Sequence, residues 1–299
     1  MTLENKNMKK NYIHVPYGTT VHGEEEIAAV NKVLKTSTQM GVCVRDFEEK
    51  VAETFNKKYG IMVNSGSSAL LLAAEIMDLP KNSEVITPAL TFATTVSCLV
   101  KNHLIPSFVD VEQGTYCINP SKIEEMICEK TKALCVPNLI GNVAKWDEIT
   151  EICRKYNLKI IEDSADTLGA SLNGRSTGSY SDSSITSFYG SHVINAAGNG
   201  GMLCVNSEDY EKRARLLRSW GRASSLFVES ESIENRFSVD IDGFSYDAKF
   251  LFEAVGYNFE PSEMGAAFGL IQLGKLKDNI QARIQNFQTQ YNFFRKWNR

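Results

Sequence analysis

The feature that most constrains this chain is a rhythm. Between Tyr59 and Val205, short apolar and β-branched runs alternate with stretches of helical spacing: YGIMVN precedes SSALLLAAEIM, EVITPAL precedes TFATTVSCLVKN, and IPSFVDV precedes NPSKIEEMICEK. ALCVPNLIG, WDEITEICRKYN and LKIIEDSAD continue the series. Strands separated by helices return to the same edge of a sheet and run the same way. The pattern therefore predicts an α/β fold with a central, mostly parallel sheet between helices. SSITSFYG and GGMLCVN read as two further strands, the second preceded by the loop from Asn195 to Gly200.

Outside that block, Gly23 to Leu34 has helical spacing through Ile27, Val30, Val33 and Leu34, and Asp46 to Tyr59 repeats it with Phe47, Val51 and Phe55. Both read as amphipathic helices. ASSLFVESESIEN, from Ala223 to Asn235, is rich in Ser and Glu without a period and reads as an exposed loop. From Pro261 to the end a single long helical pattern carries Met264, Ala267, Leu270, Leu273 and Leu276 on one face. The chain divides into an N-terminal segment (1–22, polar and frayed to about Lys10), a large domain (23–260) and a connecting helix (261–299).

Composition narrows the partners. A chain of 299 residues with 43% hydrophobic and 23% charged residues buries a sizeable core, as one large unit or two domains. The net charge of −4 shows no basic excess, which argues against nucleic-acid or anionic-membrane binding. No stretch approaches the roughly 18 apolar residues that span a bilayer, and the start has no apolar leader core, so a cytoplasmic protein is expected. Seven cysteines, without CxxC pairs and mostly within apolar runs, read as reduced packing residues.

Three segments could carry chemistry. Val63 to Ala69 (VNSGSSA) joins a strand to a helix with small residues, so its backbone amides can approach an anion at the positive end of the helix; it matches neither the dinucleotide nor the Walker pattern, and the competing reading is a plain Ser N-cap. Ile160 to Asp166 (IIEDSAD) delivers carboxylates at the carboxyl end of an apolar strand, where α/β sheets hold ligands; a helix cap is again the alternative. Ser187 to His192 (SFYGSH), followed by the Gly-rich NAAGNGG, offers a hydroxyl and an imidazole able to accept a proton near neutrality, although a lone His is more often structural. His14, His22 and His103 have no metal-ligand spacing with it, so no metal is expected.

In order and spacing, SGSSAL, TPALTFATT, IPSFVDVEQGTYCINPSKIE, TKALCVPNLIGN, IIEDSADTLGA, TSFYGSH, GNGGML, WGR and VGYNFEPSEMGAAFGLIQL resemble the pyridoxal-phosphate sugar aminotransferases of fold type I, the group named for the DegT, DnrJ, EryC and StrS proteins. The resemblance covers Tyr17 to Leu276. It implies that Gly66 and Ser67 give backbone contacts to the cofactor phosphate, with the Ser187 hydroxyl beside them. It places Phe92 over the pyridine ring, Asp163 on the pyridine nitrogen, and Asp166 where relatives carry Gln or His near the 3-oxygen. Asn258 would reach the phosphate of the neighbouring subunit, which implies a homodimer. Relatives often carry a basic residue where Glu260 stands, and they continue into a small C-terminal domain, whereas this chain stops at Arg299, which implies a truncated small domain.

The informative departure is His192. Ordinary members have the Schiff-base Lys there, but no Lys occurs between Lys159 and Lys212. An imidazole cannot condense with an aldehyde, so it can act only as acid or base on a cofactor held noncovalently, as pyridoxal or pyridoxamine phosphate. Within the family this exchange resembles the sugar 3-dehydratases, which act on nucleotide-linked 4-keto-6-deoxyhexoses in deoxysugar and O-antigen-type polysaccharide biosynthesis. Ala165 and Ala223-Ser224-Ser225 stand where the iron–sulfur type has cysteines, so no cluster is expected. The resemblance then favours the redox-independent type typified by GDP-4-keto-6-deoxymannose 3-dehydratases, with glutamate as amino donor. A Lys-substituted sugar aminotransferase and a noncatalytic subunit remain the alternatives.

Overall fold

The computed structural model describes residues 21–227 and 232–297. Most of the N-terminal segment, and residues 228–231 of the Ser/Glu-rich stretch, lie outside the described residues. In chain order the elements are α1 (Glu24–Leu34), α2 (Val42–Thr54), β1 (Tyr59–Val63), α3 (Gly66–Ile76), β2 (Glu84–Pro88), α4 (Ala93–Lys101), β3 (Ile105–Val109), β4 (Thr131–Pro137), α5 (Trp146–Tyr156) and β5 (Lys159–Asp163). A small hairpin follows, β6 (Ser171–Leu172) and β7 (Arg175–Ser176), then β8 (Ser183–Ser187), β9 (Gly201–Val205), α6 (Glu208–Arg218) and α7 (Ile233–Arg236). A second hairpin, β10 (Val239–Ile241) with β11 (Phe244–Tyr246), leads to α8 (Glu263–Gly274) and α9 (Leu276–Phe294).

The main sheet has seven strands in the order β1-β9-β8-β5-β4-β2-β3. All its pairings are parallel except those of β9, which runs antiparallel between β1 and β8. The mostly parallel α/β architecture expected from the alternation is therefore present. Successive residues of each strand go to opposite faces, and both faces are packed. Ile61, Val63, Ala133, Cys135, Ile161, Ile185, Leu203 and Val205 face α3 and α6, while Met62, Leu134, Val136, Ile160, Met202 and Cys204 face the layer that contains α2, α5 and α8.

Register decides what lies at the carboxyl edge. Gly201 pairs with both Val63 and Ser187, Ile185 pairs with Asp163, and Asp163 pairs with Pro137. The ends of β1 and β8 are level with each other, as are those of β5 and β4 two residues earlier, and each releases its loop on the same side of the sheet. α5 shows how local sequence sets such an element. Acidic Asp147 and Glu148 lie in its first turn and Arg154 and Lys155 in its last, matching the helix dipole, and Asn157 at φ 52° ends it.

Two carboxylates tie the N-terminal helices to α8. Glu263 accepts from the N–H groups of Gly41 (2.7 Å), Cys43 (2.7 Å) and Val44 (3.2 Å), supplying the cap that Gly41 cannot give to α2. Glu26 accepts from Gly23 N–H at 2.9 Å, Gln272 at 2.8 Å and Lys275 at 2.8 Å.

Several sequence expectations need correction. Of the apolar stripe expected on α1 only Val33 is fully buried; Ile27 and Leu34 are exposed, and the charged Glu26 is buried in their stead because α8 offers it donors. The second helix begins at Val42 and ends at Thr54, and Tyr59 already belongs to β1. NPSKIEEMICEK forms two short 3-10 turns, Pro120–Lys122 and Glu124–Met126, with only Pro120 and Ile123 buried along them, too little apolar surface to sustain a full helix. The strand expected in SSITSFYG stops at Ser187. The Ser/Glu-rich stretch is not wholly exposed: Ala223 and Ser224 are buried in a 3-10 turn, and α7 forms at its far end. The long terminal helix is two helices meeting at Lys275, the first packed into the core and the second without a fully buried residue. Five cysteines are buried and Cys43 is partly so, but Cys128 is exposed. Among the described residues no helix is long and apolar enough to cross a membrane.

Candidate active site

The first loop at the carboxyl edge runs from Val63 into α3. Ser65 caps the helix by accepting the Ser68 N–H at 3.1 Å, and Ala69 N–H bonds to Ser65 C=O. The first-turn N–H groups of Gly66 and Ser67 are left without an acceptor among the described residues. Helices end this way with donors aimed outward, at the positive end of the dipole. Gly66 is required by packing: a Cβ there would lie 2.7 Å from Ser187 Cβ. The absent side chain lets α3 start directly against the end of β8, so the free N–H groups and the Ser187 hydroxyl belong to one cradle. Ser187 Oγ accepts from Tyr189 N–H at 3.3 Å, which leaves its own proton to donate.

Asn258 lies behind this cradle. Its backbone bridges to Ser219, its carbonyl accepts from Asn64 Nδ2 at 3.4 Å, and Phe259 C=O accepts the Asn64 N–H at 3.0 Å. The phosphate-loop approach is thus braced from the segment that carries Asn258. Phe92 is the residue before α4 and is 68% exposed, its ring uncovered at the end of β2.

Asp163 closes β5 and is buried. Oδ2 accepts the Thr95 hydroxyl at 2.9 Å and Oδ1 accepts the Ala165 N–H at 3.2 Å. Burial pushes its carboxyl above the ordinary aspartate range, helped by the nearby Asp166 charge, while the two hydrogen bonds and His192 pull the other way. Asp166, three residues on, behaves oppositely: the hydrogen bond with His192 holds its carboxyl below the ordinary range against a burial penalty. Two carboxylates with environments that split their proton affinities are a recurrent sign of divided chemical roles.

His192 sits on the loop after β8, where His192 N–H bonds to Tyr189 C=O at 3.0 Å and the ring meets Tyr189 edge-on at 6.3 Å between centroids. Its Nδ1 lies 3.1 Å from Asp166 Oδ1, and its side chain is only 20% exposed. The loop closes through Ala197 and Gly198, both at positive φ, before Phe188 N–H bonds to Gly200 C=O at 2.9 Å.

The structure thus gathers Gly66, Ser67 and Ser187 into one cradle and Asp163, Asp166 and His192 into a second, electrostatically connected group. Both lie at the same edge of the sheet. Sequence reasoning missed Thr95 and Ile140. Ile140 donates its N–H to Asp166 Oδ2 at 3.2 Å. It also missed Asn138, buried beneath the site, whose N–H bonds to Asp163 C=O. Thr95 could have been suspected from the TFATT run; Ile140 gives no sequence signal, because its contribution is a backbone N–H. Among the described residues no cluster of His, Cys, Asp and Glu suits a metal ion.

The donor set fits pyridoxal phosphate. Unpaired helix N–H groups and a hydroxyl suit a phosphate, and a buried carboxyl that resists ionisation when alone is suited to face a protonated ring nitrogen. The comparisons agree. A 3-dehydratase of dTDP-4-dehydro-2,6-dideoxy-D-glucose from Saccharopolyspora spinosa is 35% identical over 286 residues, which is 91% of this chain and 61% of that protein. The chain therefore spans less than two thirds of that relative's length. A GDP-4-keto-6-deoxy-D-mannose 3-dehydratase from Yersinia pseudotuberculosis is 33% identical over 93% of this chain and 71% of its own length. The solved structure of the Escherichia coli GDP-4-keto-6-deoxy-D-mannose-3-dehydratase with bound hydrated PLP superposes with a TM-score of 0.85 at 30% identity, covering 95% of this chain and 73% of that one. The model of one sugar-modifying family matches residues 20–298, and with these likenesses it shows that the chain belongs to the DegT/DnrJ/EryC1/StrS aminotransferase family.

Proposed function

We propose that this chain catalyses the 3-dehydration of a nucleotide-linked 4-keto-6-deoxyhexose, with pyridoxamine phosphate held noncovalently and His192 as the acid and base. The observation that carries the reading is His192 itself, whose Nδ1 lies 3.1 Å from Asp166 Oδ1 at the sheet edge where Asp163 is buried; on this reading the imidazole takes the family's lysine station. The 3-dehydratases among the relatives support it.

When bound, the cofactor supplies an amine for the sugar ketone and a ring that accepts electrons. The protein's part follows from its residues. Gly66 and Ser67 N–H groups and the Ser187 hydroxyl would bind the phosphate, and Phe92 would cover one face of the ring. Asp163 would hold a proton on the ring nitrogen, and its buried site strengthens that pairing because little water competes. His192 Nε2 would take a proton from the carbon that bears the amine as the C3 hydroxyl leaves, and return protons as the site resets. A lysine in its place would compete for the aldehyde and divert the site to transamination.

Glutamate as amino donor, a cytoplasmic location and a homodimer in which Asn258 serves the partner's phosphate site belong to the same proposal. Exposed Phe244, Phe250, Phe252 and Val255 support the dimer.

Absorbance after addition of pyridoxal phosphate and then glutamate tests the function. The expected outcome is loss of the aldehyde-type band and growth of a pyridoxamine-type band that persists. A protein that binds neither form of the cofactor would instead favour a noncatalytic subunit.

A further inference from the structure

Both oxygens of the Asp166 carboxylate are committed within the protein. Oδ1 faces His192 Nδ1 at 3.1 Å, and Oδ2 accepts the Ile140 N–H at 3.2 Å. Ile140 has φ 57° and ψ 27°, a left-handed conformation that is unfavourable for a β-branched residue. Burial of its side chain does not offset that cost, since Ile140 is 68% exposed. The conformation instead turns the N–H toward Asp166. Strain of this kind persists only where the surroundings over-determine it, and Asn138 provides that here. Its Nδ2 donates to Glu162 Oε1 (3.1 Å) and Ser164 Oγ (2.9 Å), and its Oδ1 accepts from Ala144 N–H (2.9 Å) and Trp146 Nε1–H (3.0 Å). All four hydrogen-bonding capacities of the buried amide are used, which fixes the loop on which Ile140 stands.

We propose that Asp166 is a positioning residue that sets His192 in the Nδ1–H tautomer, with the strained Ile140 backbone locking Asp166 in place. An ionised carboxylate offers no proton, so a neutral imidazole hydrogen-bonded to it through Nδ1 must place its single proton there. Nε2 is then left as the acceptor. The hydrogen bond from His192 that depresses the Asp166 carboxyl keeps it in the ionised form this requires. What Nε2 does with its free lone pair rests on the dehydratase reading; the tautomer does not.

The test is 15N NMR of the histidine-labelled 299-residue chain without cofactor, at a pH where the imidazole is neutral, with His192→Gln used for assignment. The wild type should show a protonated, pyrrole-type Nδ1 and a pyridine-type Nε2 at His192. Ile140 and His192 meet different oxygens of Asp166, so in Asp166→Asn, held in the same place, the one remaining oxygen can face only one of them. With that oxygen on the Ile140 N–H, the amide NH2 faces Nδ1 and drives the proton to Nε2, so the variant should show an inverted or mixed pattern. Ile140→Gly keeps the N–H without the left-handed cost and should retain the wild-type pattern. Nε2–H dominance in the wild type, or an unchanged pattern in Asp166→Asn, overturns the proposal. Should Asp166→Asn fail to fold, the wild-type pattern alone decides. Because no cofactor is present, the outcome is independent of whether the protein dehydrates a sugar.

Discussion

Asp163 and Asp166 are neighbours in one short segment, yet burial dominates the first and the His192 hydrogen bond the second. The sign of the Asp163 effect follows from its raised carboxyl. In the cofactor-free protein its contribution to stability is full below the unfolded aspartate value and is lost as pH rises through the folded value. At neutral pH the group is therefore a cost to the folded state. Asp163→Asn keeps the shape, and Thr95 can turn its hydroxyl to accept from the new amide. The variant should be more stable than wild type without cofactor, on the order of 1 kcal/mol at pH 7, with the gap shrinking toward pH 4, and should bind pyridoxal phosphate poorly. Thermal melts across pH check this, and a variant less stable at pH 7 contradicts it. These acids were legible in the sequence because an apolar strand ending in EDSAD leaves its carboxylates at a sheet edge. Thr95 lay inside a helical pattern, with only the TFATT run to mark it. The Ile140 N–H was invisible, since no side-chain property marks a left-handed backbone at that position.

Among elements, strands were the most legible. Five-residue apolar runs buried on two faces leave little choice of state, and β1, β2, β5 and β9 fall where such runs do; the edge strand β3 also falls on its run although Ile105 and Phe108 stay exposed. Helices depended on partners the sequence does not display. The stripe expected on α1 is half exposed because Glu26, reading as a surface charge, is claimed by Gln272 and Lys275. The same residues break the terminal helix: Lys275 reaches back to Glu25 and Glu26 at the junction of α8 and α9. Burial opposes ionisation of Glu26, but hydrogen bonds from Lys275, Gly23 and Gln272 outweigh it and bring its pKa to about 2. A carboxyl lowered on folding stabilises above its unfolded value, and that contribution is lost as pH falls from about 4.5 toward 2. Glu26→Gln should lower stability by roughly 2 kcal/mol at pH 7, and the difference should narrow across that acid window. Urea titrations at pH 7 and pH 3 measure it; a gap that does not change with pH contradicts the assignment.

At the scale of the whole molecule, strand order and register bring the anion cradle, the buried acid and the imidazole to one edge. β9 is the pivotal strand. By running antiparallel between β1 and β8 it sets Gly201 beside both Val63 and Ser187, and it returns the chain from the loop that carries His192. On the proposed reading, His192 stands where the family's lysine would bond covalently to an aldehyde, and an imidazole there can only exchange protons. Intact-mass measurement after incubation with pyridoxal phosphate and borohydride reduction tests that claim most directly. The wild type should keep its unmodified mass, and His192→Lys should gain one reduced cofactor. A reduced cofactor fixed stoichiometrically to the wild-type chain would contradict the account.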